Sequence, residues 1–210
     1  MNGFTIRIFL DQIAENKAAL ISLFAILLIP VFLIALNSGP NGDGAGYFTR
    51  DPATTTGQTP FLGALSNLSV VLWGMASALA FVCSLQMRSR LNLRRLAQFF
   101  CYLSILSFVL MLDDLLQIHE RLAPDFLGIN EKLVLVIYAV YLGALLFIHR
   151  KDLRDTDFSI LFVALFFFVS SVVAEKNDVP WPYLVEDALK FFGVGFWLLY
   201  FAVTMIKKIR

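Results

Sequence analysis

Long apolar segments, separated by short polar ones, dominate the hydropathy pattern of this chain. Six of them are long enough to cross a hydrocarbon core of about 30 Å at a rise of about 1.5 Å per residue. The fourth is slightly short, so it would thin the bilayer or recruit a flanking turn. The pattern therefore predicts an all-α, polytopic membrane helix bundle. The six predicted spans are residues 18–36, 61–87, 96–118, 133–148, 158–174 and 183–206.

Two further segments flank the first predicted span. Residues 1–17 predict an amphipathic cytoplasmic segment, and the Gly-, Thr- and Pro-rich residues 37–60 predict a mobile outer loop. No internal repeat divides the sequence. We therefore predict a single integral membrane domain over residues 1–210.

The basic residues determine the predicted orientation, because Lys and Arg are enriched in cytoplasmic loops. Twelve of them lie at the two termini and in the second and fourth loops, whereas four lie on the other side. This distribution places both termini in the cytoplasm. Eleven acids lie on the outer side and five on the inner side. A cation that arrives from outside would therefore be attracted.

Composition excludes a soluble domain. Hydrophobic residues make up 59% of the chain and charged residues 16%, whereas soluble proteins usually carry about 25% charged residues. The net charge is +1 and the basic residues form short clusters, so nucleic acid is not an expected partner. The lipid bilayer is the expected partner, and the oligomeric state is left open.

The strongest chemical signal is the sequence LDDLLQIHE, residues 112–120, at the outer end of the third predicted span. Charged groups in or beside hydrocarbon are costly and usually functional. The predicted orientation brings further acids to the same level, together with Ser66 and Asn67 at the start of the second span. A short turn through residues 180–182 should also bring the fifth and sixth spans together. The candidate ligands are Asp113, Asp114, Glu120, Glu175 and Glu186.

Helical phase separates the members of this group. At about 100° per residue, Asp113, Gln117 and Glu120 share one face, while His119 points away from it. In a regular helix His119 is therefore not a ligand beside Asp113. A break before Pro124 would bring it round, because the residue before proline disfavours the helical conformation. The alternative is a solvated helix end with no site.

Lys190 has two possible partners in the predicted bundle. It follows Glu186 by four residues, a spacing that permits an ion pair within one helix. Alternatively, its ammonium group compensates the acids of the third span.

Several carboxylates beside one imidazole suit a divalent cation. Oxygen ligands favour Ca²⁺, Mg²⁺ or Mn²⁺, and a histidine also admits Zn²⁺ or Fe²⁺. The other histidine, His149, is predicted on the cytoplasmic side, which excludes a site with several histidines. A bound metal could activate water for hydrolysis. Paired carboxylates without metal would instead hold protons, as in a proton-coupled carrier.

Two short motifs, Leu65-Ser66-Asn67-Leu68 and Leu112-Asp113-Asp114-Leu115, resemble the alkaline ceramidase and receptor-like membrane hydrolase superfamily. The resemblance implies that Ser66 or Asn67 lies with Asp113 near a metal-activated water. It covers a small part of the chain, the family's His-x-x-x-His pair has no counterpart, and seven spans are replaced by six. The motifs SNL, LDDLxxxHE and EDxLKxxGxxxW more closely resemble small bacterial membrane proteins of unknown function.

These observations predict a multi-pass protein of a bacterial inner membrane with an outer-facing site for a divalent cation. The first hypothesis is a metal-dependent hydrolase of a lipid or amphiphile. The second is a proton- or cation-coupled carrier. The third is a non-catalytic assembly subunit whose acids pair with basic residues of a partner. The sequence contains no complete catalytic motif, so whether the protein is an enzyme is left open.

Overall fold

The structure is a computed structural model, and it describes residues 52–59, 61–175 and 182–209 together with scattered positions between 17 and 36. The chain divides into two compact units, Met1–Leu62 and Gly63–Arg210. In the first unit, the described positions between 17 and 36 are helical. A short helix, α1 (Pro52–Thr56), lies within the segment for which a mobile loop is predicted. Residues 18 and 36, the bounds of the first predicted span, are among these helical positions, and the segment between them is described in part.

The described part of the second unit is built from helices. Four of them are long and apolar enough to cross a membrane, and Phe158–Ala174 is a shorter apolar helix. The all-α membrane helix bundle is therefore confirmed, whereas the number of six spans stays a prediction. The helices of this unit are α2 (Ala64–Arg88), α3 (Arg94–Leu116), α4 (Ala123–Leu127), α5 (Glu131–Ile148), α6 (Arg150–Leu153), α7 (Phe158–Glu175) and α8 (Pro182–Ile209).

Large apolar side chains are exposed along every long helix of the second unit. Contiguous apolar surface of this kind is unfavourable in water and is typical of helices that contact lipid. The exposed side chains therefore agree with the hydropathy of the same helices. Examples are Val71, Phe81, Phe108, Val140, Phe166 and Phe192.

Small residues join α2 and α3 in an antiparallel pair. The hydroxyl of Ser77 donates to the carbonyl of Ser104 at 3.0 Å, and the hydroxyl of Ser104 donates to the carbonyl of Ser77 at 2.9 Å. Two turns away, Ser84 donates to the carbonyl of Ala97 at 2.7 Å. Small side chains allow two membrane helices to approach closely enough for such bonds.

An aromatic core joins α8 to α2, α3 and α7. Trp73 of α2 stacks on Phe168 of α7 with ring centroids 5.5 Å apart. A Cβ atom at Gly193 of α8 would lie 2.6 Å from the Phe168 ring, so only glycine permits this approach. Trp197 of α8 donates from Nε1 to the hydroxyl of Ser107 on α3 at 2.9 Å. This bond sets the height of α8 relative to α3.

The end of α5 lies beside the beginning of α3. The ring of His149 is buried there, 5.2 Å from the ring of Phe99 and 6.3 Å from that of Tyr102. Its Nδ1 atom lies 3.3 Å from a carboxylate oxygen of Asp152. Since α3 and α5 run antiparallel, the start of α5 lies near the end of α3.

Candidate functional site

The helix α3 ends where Gln117 adopts the left-handed helical conformation, with φ 50° and ψ 47°. This conformation costs about 1–2 kcal/mol for a residue that carries a side chain. The Gln117 N–H donates to the carbonyl of Asp113, and its own carbonyl accepts from the N–H of Arg121 at 2.8 Å. The break thus lies nearly two turns before Pro124, and a π-helical turn, Ile118–Leu122, follows it.

The break brings His119 back towards the end of α3. Its backbone N–H donates to Oδ1 of Asp113 at 2.9 Å, and its ring Nδ1 is hydrogen-bonded to Oδ2 of the same carboxylate. The Asp113 residue is 2% exposed, so this contact is shielded from water. A regular helix would have kept the two side chains apart. The structure therefore includes His119 in the site through a helix break before Pro124, which is the condition under which the sequence predicts that His119 turns towards Asp113.

Tyr138 of α5 is a third donor to this carboxylate. Its hydroxyl donates to Oδ1 of Asp113 at 3.2 Å. Tyr138 is not among the site residues predicted from the sequence. A signal was present, because the residue lies about one and a half turns inside the outer end of its predicted span, and a buried tyrosine hydroxyl usually has a partner. Together, the three donors leave both oxygens of the Asp113 carboxylate hydrogen-bonded.

The His119 ring lies just beyond the apolar segment Leu91–Leu116. Burial by itself disfavours the charged imidazolium. The hydrogen bond and the negative charge of Asp113, with a further contribution from Glu120, outweigh burial and raise the pKa of His119 above its usual value. The ring is therefore suited to carry a proton near neutral pH.

Asp114 forms an ion pair between helices. Lys190 Nζ of α8 lies 2.6 Å from Asp114 Oδ1, with the Asp114 side chain 5% exposed and that of Lys190 28% exposed. The second oxygen, Oδ2 of Asp114, is buried without a hydrogen-bond partner among the residues that the structure describes. Of the two alternatives for Lys190, the structure therefore supports compensation of an acid on the third predicted span.

The packing of α3 on α8 explains this pairing. Ser107 and Asp114 are seven residues apart on α3, and Lys190 and Trp197 are seven residues apart on α8. Seven residues span about two helical turns, so each pair of residues lies on one face of its helix. The bond between Trp197 and Ser107 therefore fixes the register that places Lys190 opposite Asp114.

Helical phase gives a wrong position for two polar residues after Leu116. Gln117 and Glu120 should share the inward face of Asp113, but both are exposed. The cause is the left-handed conformation of Gln117, which redirects the chain. The carboxylate of Glu120 nevertheless lies close to the site, with Oε1 3.7 Å from Nε2 of His119.

The remaining candidate residues lie on three other helices: Ser66 and Asn67 on α2, Glu175 on α7 and Glu186 on α8. Ser66 and Asn67 are exposed at the start of α2, and no hydrogen bond connects either side chain to Asp113. The carbonyl of Glu186 accepts from the hydroxyl of Ser171 at 3.1 Å, so α7 and α8 are neighbours as predicted. The side chain of Glu175 lies outside the described residues. Within the described part of the chain, no three His, Cys, Asp or Glu side chains converge in an arrangement that could hold a metal ion.

Comparison with known proteins identifies a family but no characterised relative. The model of the family described as "Domain of unknown function (DUF8692)" matches residues 20–204. Neither the curated proteins nor the solved structures include a match to the chain. The matched region contains all the described residues of the candidate site. The chain therefore belongs to the DUF8692 family.

Proposed function

We propose that this protein is a proton-coupled cation carrier in which Asp113 and His119 bind the transported proton. The observation that carries the proposal is the buried hydrogen bond between the Asp113 carboxylate and the His119 ring at the end of a membrane-spanning helix. Ionisable groups in such positions usually belong to ion pathways or proton relays.

The site can exist in two charge states. When the His119 ring is protonated, it forms an ion pair with Asp113, and Tyr138 donates to the same carboxylate. When the ring loses its proton, the carboxylate loses its counter-ion. A cation that binds the negative state would then replace the proton, which is the basis of coupled exchange.

Charge at this end of the bundle favours a cation as the exchanged ion. Among the described residues at this end, seven acids outnumber three bases. The acids are Asp113, Asp114, Glu120, Asp125, Glu131, Glu186 and Asp187, and the bases are Arg121, Lys132 and Lys190. Lys190 neutralises Asp114, so the carboxylate that responds to protonation of His119 is Asp113. Glu120 is half exposed and would be the first carboxylate that an incoming cation meets.

Proteoliposomes that contain a pH-sensitive dye test the proposal. Imposing gradients of Na⁺, K⁺, Mg²⁺ or Mn²⁺ should cause a change of internal pH with at least one ion, whereas choline should cause none. Asp113→Asn should abolish the response. Asp125→Asn provides a matched control, because Asp125 is an exposed acid at the same end of the bundle. The absence of a response to all four ions in the parent would contradict the proposal.

A metal-dependent hydrolase of a lipid or amphiphile is the second candidate, and one observation favours it. Asp113 holds Nδ1 of His119, which leaves Nε2 near Glu120, and metal-ligating histidines commonly bond to a carboxylate through the other nitrogen. Zn²⁺, Mn²⁺, Mg²⁺ or Ca²⁺ could bind there with water, and the resemblance to the alkaline ceramidase superfamily would add Ser66 or Asn67. Stoichiometric metal in the purified protein, lost in His119→Gln, would favour this candidate. If the purified protein holds no metal and moves no protons in response to an ion gradient, the non-catalytic assembly subunit would be favoured.

We also propose a location in a bacterial inner membrane with six spans and both termini in the cytoplasm. The distribution of twelve basic residues against four supports this orientation. Reporter domains fused after Arg210 should be active in the cytoplasm, and those inserted at Gly44 should be active outside. A cytoplasmic signal from Gly44 would contradict the outward orientation of the proton site.

A further inference from the structure

A second polar site lies at the opposite end of the bundle, where α7 begins and α8 ends. An open cavity of about 290 Å³ is bordered there by the turn before α7 and by the last turns of α8. No part of the proposed proton site contributes to it. The lining residues are Arg154, Asp155, Thr156, Asp157, Thr204, Lys207 and Lys208.

The charges in this cavity leave two cations for a ligand. Lys207 forms an ion pair with Asp157, with Nζ 2.5 Å from Oδ1. Arg154 and Lys208 form no ion pair with any residue that the structure describes, while Asp155 supplies the remaining negative charge. The guanidinium of Arg90 donates to the carbonyl of Lys208 at 2.9 Å and adds positive charge beside the rim.

The hydroxyl groups in the cavity differ in their hydrogen bonding. Thr156 accepts from the hydroxyl of Tyr200 at 3.1 Å and donates to the carbonyl of Leu153 at 2.7 Å, so its bonding is complete. Thr204 is 1% exposed, and its hydroxyl has no hydrogen-bond partner among the described residues. A buried hydroxyl without a partner is unfavourable, and an acceptor in the cavity would remove that cost.

We propose that this cavity binds the phosphate of an anionic phospholipid headgroup. Arg154 and Lys208 would pair with the phosphate oxygens, and Thr204 would donate to one of them. Basic pockets between membrane helices are suited to anionic headgroups, and Arg provides the fork-shaped donor geometry that phosphate favours.

The position of the cavity favours a lipid over a soluble phosphate. Lys208 is the last residue of the apolar segment Leu184–Lys208, so the cavity lies at the level where phospholipid headgroups meet the hydrocarbon. Phe158 and Phe162 follow the cavity on α7 and are 42% and 54% exposed. Their rings offer an apolar surface to the acyl chains of a lipid whose phosphate lies in the cavity.

Calorimetric titration of the full-length protein in detergent tests the proposal. The probes are short-chain phosphatidylglycerol, short-chain phosphatidylcholine and inorganic phosphate. Phosphatidylglycerol should bind, and each loss of a basic side chain, Arg154→Gln or Lys208→Gln, should weaken its affinity about fivefold. Lys151→Gln is the matched control, because Lys151 is an exposed cation at the same end but does not line the cavity.

The variant Thr204→Val distinguishes a site with a specific hydrogen-bond donor from binding that depends only on surface charge. The substitution keeps the volume and removes only the hydroxyl, so it should weaken phosphatidylglycerol binding while the melting temperature stays at or above that of the parent. Equal affinities for phosphatidylglycerol and phosphatidylcholine would overturn the proposal, and so would equal losses in Lys151→Gln and Lys208→Gln. Inorganic phosphate that binds as tightly as phosphatidylglycerol would overturn the lipid as the source of the phosphate.

Discussion

Removing either partner of the ion pair between Lys190 and Asp114 should destabilise the protein far more than removing both. At the observed distance of 2.6 Å, an effective dielectric constant of about 20 gives a gross attraction of roughly 6 kcal/mol. Desolvation of the two ions offsets much of this attraction. A single substitution removes the attraction but leaves one charge buried, at a cost of about 3–5 kcal/mol.

A double-mutant cycle measures this coupling directly. Lys190→Met and Asp114→Leu should each lower the free energy of unfolding by about 3–5 kcal/mol, and the double variant should recover most of the loss. The assay is reversible unfolding in mixed micelles, followed by helical circular dichroism. The more exposed pair between Lys207 and Asp157 serves as the control, since its side chains are 60% and 26% exposed, against 28% and 5% for Lys190 and Asp114.

The control cycle should give a coupling of about 1 kcal/mol or less, because solvent screens exposed ion pairs. If the losses from Lys190→Met and Asp114→Leu simply add in the double variant, the two side chains do not form a buried pair. Such a result would also contradict the assignment of Asp113 as the carboxylate that responds to the proton.

Two further predictions concern the break in α3. Gln117→Gly should raise the free energy of unfolding by about 1 kcal/mol, because glycine adopts a positive φ without strain. A lower melting temperature in this variant would contradict the left-handed conformation of Gln117. The parent should lose stability as pH rises through the raised pKa of His119, because the favourable ion pair with Asp113 exists only while the ring is protonated. This contribution is fully present below the ordinary histidine pKa of about 6.5. Melting curves between about pH 5 and pH 9 should show a smaller decline in His119→Gln than in the parent.

The long helices could be predicted from hydropathy, because membrane-spanning segments need continuous apolar sequence. Residues 61–87 predict a helix that the structure gives as Ala64–Arg88, and residues 133–148 predict one that the structure gives as Glu131–Ile148. The acids at the end of the third predicted span were also recognisable, since charge beside hydrocarbon is costly.

The arrangement of the site could not be predicted from local sequence rules. Gln117 is neither glycine nor proline, so no residue type marked the position of the left-handed turn. Lys190 had a suitably spaced acid in its own helix, and its choice of Asp114 depends on how α8 packs against α3. Tyr138 became part of the site only because α5 lies beside the end of α3.

The most direct test of the proton site is a nuclear magnetic resonance titration of protein in which the histidine nitrogens are isotope-labelled. The chain has two histidines, and a His149→Gln variant would assign both rings. We expect His119 to titrate above the usual histidine pKa, and we expect Asp113→Asn to lower the pKa of His119. A His119 ring that titrates at or below the usual value, or that is unaffected by Asp113→Asn, would contradict the proposal that Asp113 and His119 bind the proton.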